Sequence, residues 1–343
     1  MKLNTERIHT IWHLTWPQCI MLLCQFVIGI TDVWAGGRIG SEVQASIGLI
    51  TQCHMMFMAL AMAAVSGAVA SISQSLGACK FVRARRYVGL VTIGCIAIGS
   101  AIAVAASVWR EPLLRLIQTP ESIMPVAIMF LTATIWGIPG QYTLTIGAAV
   151  FRSAKMVLIP LYVTGTACLL NVFGDLAFGL GWWGFPAYGA TGIAYSTLVS
   201  VTVGAALMLF LLMRHELFTR DSFPGWRWIK AGAPYLLKVA GPAFGTSFLW
   251  QTGYMVLYVI TASLPFGRVN ALAGLTTGLR VESILFLPAV AFSMTASVLV
   301  GHALGEGNHR EPNARCSPRS ASPARGCAAW GPPYGPGAWS SQA

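Results

Sequence analysis

The sequence has 343 residues, of which 55% are hydrophobic and 10% charged, with a mean hydropathy of +0.66; soluble domains carry about 25% charged residues. That balance excludes an ordinary soluble domain and predicts an all-α, polytopic membrane protein. The net charge of +11 is accounted for by basic connections and a basic tail, so no nucleic acid partner is expected, although basic loops suit the anionic heads of a lipid bilayer.

Apolar runs near 12–36, 45–74, 88–109, 123–150, 156–180, 189–213, 240–264 and 271–301 each reach the roughly 20 residues that a membrane span needs, predicting eight helices. The first lacks a small-residue cleavage site after a short apolar core, so it reads as a span and not as a signal peptide. It carries Pro17 near its start and Asp32 near its end. The second holds His54 and the methionines Met55, Met56, Met58 and Met62, a polarizable surface that suits either a pocket accepting many shapes or ordinary packing. Arg83, Arg85 and Arg86 precede the third run as a topological anchor. The fifth contains Asn171 and Asp175, followed by Trp182, Trp183, Phe185 and Tyr188, which read as an interfacial aromatic belt. Glu282, at the start of the eighth run, reads as an interfacial anchor, and His54 and His302 as packing or interface residues.

Lys and Arg concentrate in alternate connections. If the N-terminus is cytoplasmic, Lys2, Arg7, Lys80, Arg83, Arg85, Arg86, Arg152, Lys155, Arg214, Arg220, Arg227, Lys230 and Lys238 lie inside, and only Arg38, Arg110, Arg115, Arg268 and Arg280 lie outside. The positive-inside rule therefore predicts a cytoplasmic N-terminus. The eight cysteines show no CxxC or Cys/His metal spacing, so reduced thiols and no metal site are expected.

A weak repeat connects the start of the chain to its last third. Pro17 is echoed by Pro242, and Ala70-Ser71-Ile72-Ser73-Gln74-Ser75-Leu76-Gly77-Ala78 by Val298-Leu299-Val300-Gly301-His302-Ala303-Leu304-Gly305-Glu306. Six spans separate the copies, and an even number preserves orientation, predicting a parallel repeat about an axis along the membrane normal. The expected division is a six-helix N-terminal lobe over 1–225, two helices of a second six-helix lobe over 226–308, and a tail over 309–343. The tail is rich in Pro, Gly, Ser and Arg, with no periodicity, so it is expected to be disordered. It reads like GC-rich DNA translated out of frame, and a truncated second lobe is expected over a genuine solvated tail.

Asp32 and Asp175 are the strongest functional signal, because a carboxyl within a span is costly, about 2.5 to 3.5 kcal/mol on insertion scales, and marks ion or substrate paths. Each lies 20 residues after a plausible inner-interface anchor, Trp12 and Lys155 respectively, which at 1.5 Å per residue places both about 30 Å along their helices. Similar depth lets them share one cavity. Asn171 and Asp175, four residues apart, project from one helix face. Burial disfavours the charged form of a carboxyl, so this cluster could carry a proton; a sodium ion held by carboxylate and amide oxygens is the competing use of the same atoms. A structural hydrogen bond between helices is the bland alternative.

These residues resemble the multidrug and toxic compound extrusion (MATE) family, most closely its DinF-like branch. Thr31-Asp32-Val33-Trp34-Ala35-Gly36-Gly37-Arg38-Ile39-Gly40 is similar to the family's Asp-x-x-x-x-Gly-Arg-x-Gly pattern. Asn171-Val172-Phe173-Gly174-Asp175, continuing through Gly179, Gly184, Pro186, Gly189, Gly192, Ala194 and Thr197, resembles its helix five to helix six signature. Arg152 and Leu299 to Gly305 also fit. The resemblance covers about residues 10–308 and implies twelve helices in two lobes, drug export driven by proton or sodium entry, and a cation-coupling cluster of Asp32, Asn171 and Asp175. Leu176 departs from it, standing where a proline often follows the aspartate, which should alter the helix bend there.

The expectation is a cation-coupled antiporter, with protons favoured over sodium, that exports amphipathic or cationic drug-like small molecules. It is expected in the bacterial inner membrane, as a monomer without a cofactor, and incomplete as it stands. Met55, Met62, Tyr142 and Thr197 are the candidate substrate-cavity residues. A non-transporting remnant and a lipid-linked precursor flippase are the alternatives. An enzyme is not expected, since no nucleophile–base set occurs.

Overall fold

The computed structural model describes residues 5–116, 119, 121, 123–223, 225–262 and 268–307. The tail expected over 309–343 lies outside them. Helices α1 (Thr5–Ile39), α2 (Ser41–Gly77) and α3 (Phe81–Val108) are followed by the short α4 (Arg110–Leu116), then α5 (Met124–Ser153), α6 (Leu158–Gly174), α7 (Ala190–Arg214), α8 (Trp226–Ala262) and α9 (Arg268–Gly307). Seven are long and apolar enough to cross a membrane. The eighth long helix, α8, is not among them, its second half being diluted by Trp250, Gln251, Thr252 and Tyr254.

These helices are apolar on nearly all sides, as expected where lipid covers the outside and every backbone group must bond within the helix. Two cores hold the bundle. One joins Ile72, Tyr87, Ile146, Phe151, Met208 and Leu212, with Trp228 and Tyr235 of α8 packed against it. The other joins Ile47, Ile50, Leu131, Ile135 and Ile193 toward the opposite end. Arg85 of the basic cluster pairs with Asp221 at 3.6 Å and Glu216 at 4.0 Å, while Arg83 and Arg86 lie over the Tyr87 and Trp228 rings. The cluster therefore ties α3 to the segment between α7 and α8, and we refer to this end of the bundle as the basic end. Cys19, Cys24, Cys53, Cys95 and Cys168 are free thiols.

The repeat has a structural counterpart where α2 meets α9 at the basic end. A side chain on Gly77 would strike the carbonyl of His302, and one on Gly305 would strike the carbonyl of Gln74. In the register of the repeat Gly77 matches Gly305 and Gln74 matches His302, so these are one contact seen from two sides. Ser73 and Gly301, themselves a matched pair, face each other between them. Such reciprocity is the mark of a local two-fold axis, here relating two parallel helices. Gly301→Leu should therefore lower stability by about 1–3 kcal/mol through overpacking. Gly165→Leu, with nothing within 4 Å of its Cβ position, should cost far less; thermal unfolding of the two variants in detergent checks the difference.

Candidate functional site

At the end of the bundle away from the basic end, α6 stops being α-helical at Gly174 and continues as one π-helical turn over Asp175–Gly179. The Leu180 amide donates to the Asp175 carbonyl at 3.0 Å, five residues back. Insertions of this kind are frequently found at functional sites. The turn forms without the proline that Leu176 replaces, so the distortion does not depend on that residue. Its support comes from α7. Gly192 lies so close to the Phe178 carbonyl that a Cβ there would collide with it, and Gly174 leaves room for the Ser196 side chain. Trp34, Phe173, Phe178, Trp182, Trp183 and Phe185 form a continuous set of edge-on and stacked rings over this end.

Asp175 and Asn171 are both fully buried. The Ser196 hydroxyl donates to Asp175 Oδ1 at 2.8 Å and lies 3.0 Å from the Asn171 carbonyl. The Asn171 amide Nδ2 donates to Thr197 Oγ1 at 3.0 Å, and that hydroxyl in turn donates to the Ile193 carbonyl. The Asp32 carboxyl of α1 lies beside that of Asp175, whose second oxygen, Oδ2, is buried without a hydrogen-bond partner among the described residues. Two carboxyls side by side in a poorly solvated interior disfavour double ionisation, so the pair is suited to hold one proton. The structure thus brings Asp32, Asn171 and Asp175 together, joined by Ser196, which the sequence reading did not single out.

The cluster backs onto a cavity of about 360 Å³ enclosed by α1, α2, α5, α6, α7 and α9. Asp32 and Thr197 line it, whereas Asp175 and Asn171 sit behind its wall. Asp32 therefore stands between the cavity and the buried carboxyl. Met55 and Met62 line the cavity together with Met21, Met58 and Met294. Tyr142 does not, which corrects its assignment: it is 1% exposed and its hydroxyl is held by the Phe57 carbonyl, inside the core. His54 lines the cavity as well, and His302 lies 2.9 Å from the Ser153 carbonyl where α9 crosses α5.

At the basic end of the same cavity are Gln18 and Arg152, which the sequence places in a connection. A buried network closes α1 on α9 here, with Thr15 and the Gln18 amide reaching Thr295 at 3.0 and 2.8 Å. A second cavity of about 500 Å³ adjoins the first through Leu22, Thr51 and Met55. It contains Trp250, Gln251 and Glu282, the last accepting from Tyr254 at 3.2 Å.

A bundle of span-length helices enclosing a largely apolar cavity, with a pair of neighbouring carboxyls at its wall, defines a polytopic membrane protein built around an internal site. The MatE family pattern matches residues 17–176 and 242–316, and the chain belongs to that family. A relative named as a probable multidrug resistance protein NorM, from Thermotoga maritima, is 27% identical over 83% of this chain and 60% of its own length. A Shewanella oneidensis protein named as an FAD transporter is 22% identical over 85% and 64%. The solved outward-facing conformation of a multidrug resistance MATE family transporter superimposes with a TM-score of 0.77 at 21% identity, over 87% of this chain and 65% of that one. The chain therefore spans about three fifths of the length of these curated relatives.

Hydrogen bonds to a charged group contribute about 1.5–3 kcal/mol. Ser196→Ala and Asp175→Asn should accordingly be coupled by an energy of that order in a double-mutant cycle read by thermal unfolding; strictly additive effects would mean that Ser196 does not support the carboxyl.

Proposed function

We propose that this protein is a cation-coupled exporter of amphipathic small molecules, with Asp32 and Asp175 as the coupling pair and the methionine-lined cavity as the place where substrate sits. The observation that carries the reading is the contact between the two carboxyls across the α1–α6 interface, at a cavity wall and beside a π turn. When the pair shares a proton, α1 and α6 are drawn together. When the proton leaves, two negative charges repel in a poorly screened interior and the helices must separate or admit a cation. Because only Asp32 faces the cavity, it is the exchange point, and a change there is transmitted to Asp175 and through Ser196 to α7. The Ser73–Gly301 crossing, closed at the basic end, supports a state sealed on that side. By charge bias the basic end faces the cytoplasm of the bacterial inner membrane.

A sodium ion would draw on the same oxygens. Asn171 Oδ1, a buried acceptor that meets no donor among the described residues, favours that second reading as far as it goes. The flippase alternative calls for a strongly cationic cavity, and the lining here carries one Asp and one Arg. The names multidrug resistance protein and FAD transporter among the relatives leave the substrate to be found by experiment.

In cells expressing the chain, ethidium efflux should respond to a proton gradient more than to a sodium gradient. Asp175→Asn should slow it at least tenfold at equal membrane abundance. Efflux unchanged in that variant would remove Asp175 from the mechanism, and no efflux by the parent chain would favour the non-transporting remnant.

A further inference from the structure

Arg152 is the second charged residue of the cavity and has no part in the coupling pair. It lies one residue before the end of α5, is only 7% exposed, and lines the cavity at its basic end. Among the described residues it forms no ion pair. Its Nη1 lies 3.6 Å from the Met294 thioether, a weak acceptor, and its Nε meets no acceptor. Gln18, which lines the same end, has a side-chain oxygen likewise without a partner.

An arginine does not escape burial by losing its proton, and a buried charge lacking a counter-charge costs several kcal/mol. Packing does not explain the choice, since a methionine would fill this place beside Met294 without that cost. The guanidinium fork matches the oxygens of a carboxylate or phosphate. From Gln18 to Asp32 is 14 residues of one helix, so the arginine and the coupling acid are about 20 Å apart along the cavity. A ligand at Arg152 therefore need not contact the coupling acid. The wall between the two ends is largely apolar and rich in methionine, which accepts a flexible chain.

We propose that Arg152 is an anion-recognition point, taking the phosphate or carboxylate head of an amphipathic molecule whose apolar part lies along Met21, Met58 and Met62. This rests on the reading of the cavity as the substrate site, and it deepens that reading by naming a substrate class.

The test is a binding measurement that requires no transport. The full chain is held in nanodiscs of zwitterionic phosphatidylcholine and titrated with dodecyl phosphate or dodecanol, with protein-free discs subtracted. Dodecyl phosphate should bind at least tenfold more tightly. Arg152→Met should remove that preference, and Arg152→Lys should keep part of it. Met294→Glu, which places an internal carboxylate beside the guanidinium, should remove it with the arginine still present, and so decides the matter if Arg152→Met does not fold. In phosphatidylglycerol discs, a lost preference identifies a bilayer lipid as the natural occupant, whereas a retained one identifies a solute; either supports the site. Equal binding of both probes by the parent chain would mean that water alone serves the arginine, and would overturn the proposal. So would a preference that survives in a folded Arg152→Met or Met294→Glu variant. Failure of this test leaves ethidium efflux and its dependence on Asp175 untouched, so the two readings fall separately.

Discussion

A carboxyl shut away from water inside an apolar bundle must find donors from the protein itself, and the arrangement around Asp175 follows from that constraint. One oxygen is served by Ser196 of the neighbouring helix, and the carboxyl meets Asp32 of another. For Ser196 to reach it, α7 must approach α6 more closely than ordinary side chains permit, and Gly174 and Gly192 allow this. The π turn that begins at Asp175 is part of the same fit. Three helices are thus joined through one buried acid.

Much of this was legible in the sequence. Counting from Trp12 and Lys155 put Asp32 and Asp175 at equal depth, and the structure brings them into contact. Helical spacing put Asn171 beside Asp175, and both are fully buried. The six-span repeat was visible in short matched segments, and those segments meet about a local two-fold in the folded chain. What failed to show was whatever depends on contacts between distant helices. Ser196 looked like any other hydroxyl on an apolar helix. Arg152 fell just past the end of an apolar run and read as a connection, because nothing local reveals that α9 passes over it. Tyr142 was placed in the cavity on its chemistry, but a carbonyl 85 residues away captures its hydroxyl and turns it inward. The absence of a proline at Leu176 suggested an altered bend, yet packing against α7 supports a π turn there.

The cavity is polarised. Its lining has one acid, Asp32, toward the aromatic end and one guanidinium, Arg152, toward the basic end, with no other Asp, Glu, Lys or Arg between them. Separating the two by most of the bilayer keeps them from neutralising each other. The acid end is buttressed by a hydrogen-bonded network through Ser196, Asn171 and Thr197. The base end lies against the α2–α9 crossing, where glycine and serine allow two helices to close tightly. The carboxyl pair and the closed helix crossing thus lie at opposite ends of one space.

The central claim is that Asp32 and Asp175 share a single proton. Difference infrared spectroscopy on the full chain across a pH titration tests it directly, through the carbonyl stretch of a protonated carboxyl. The account predicts one such band that titrates as a single event and disappears or shifts in both Asp32→Asn and Asp175→Asn. Two bands that titrate independently, with each substitution removing only its own, would contradict it.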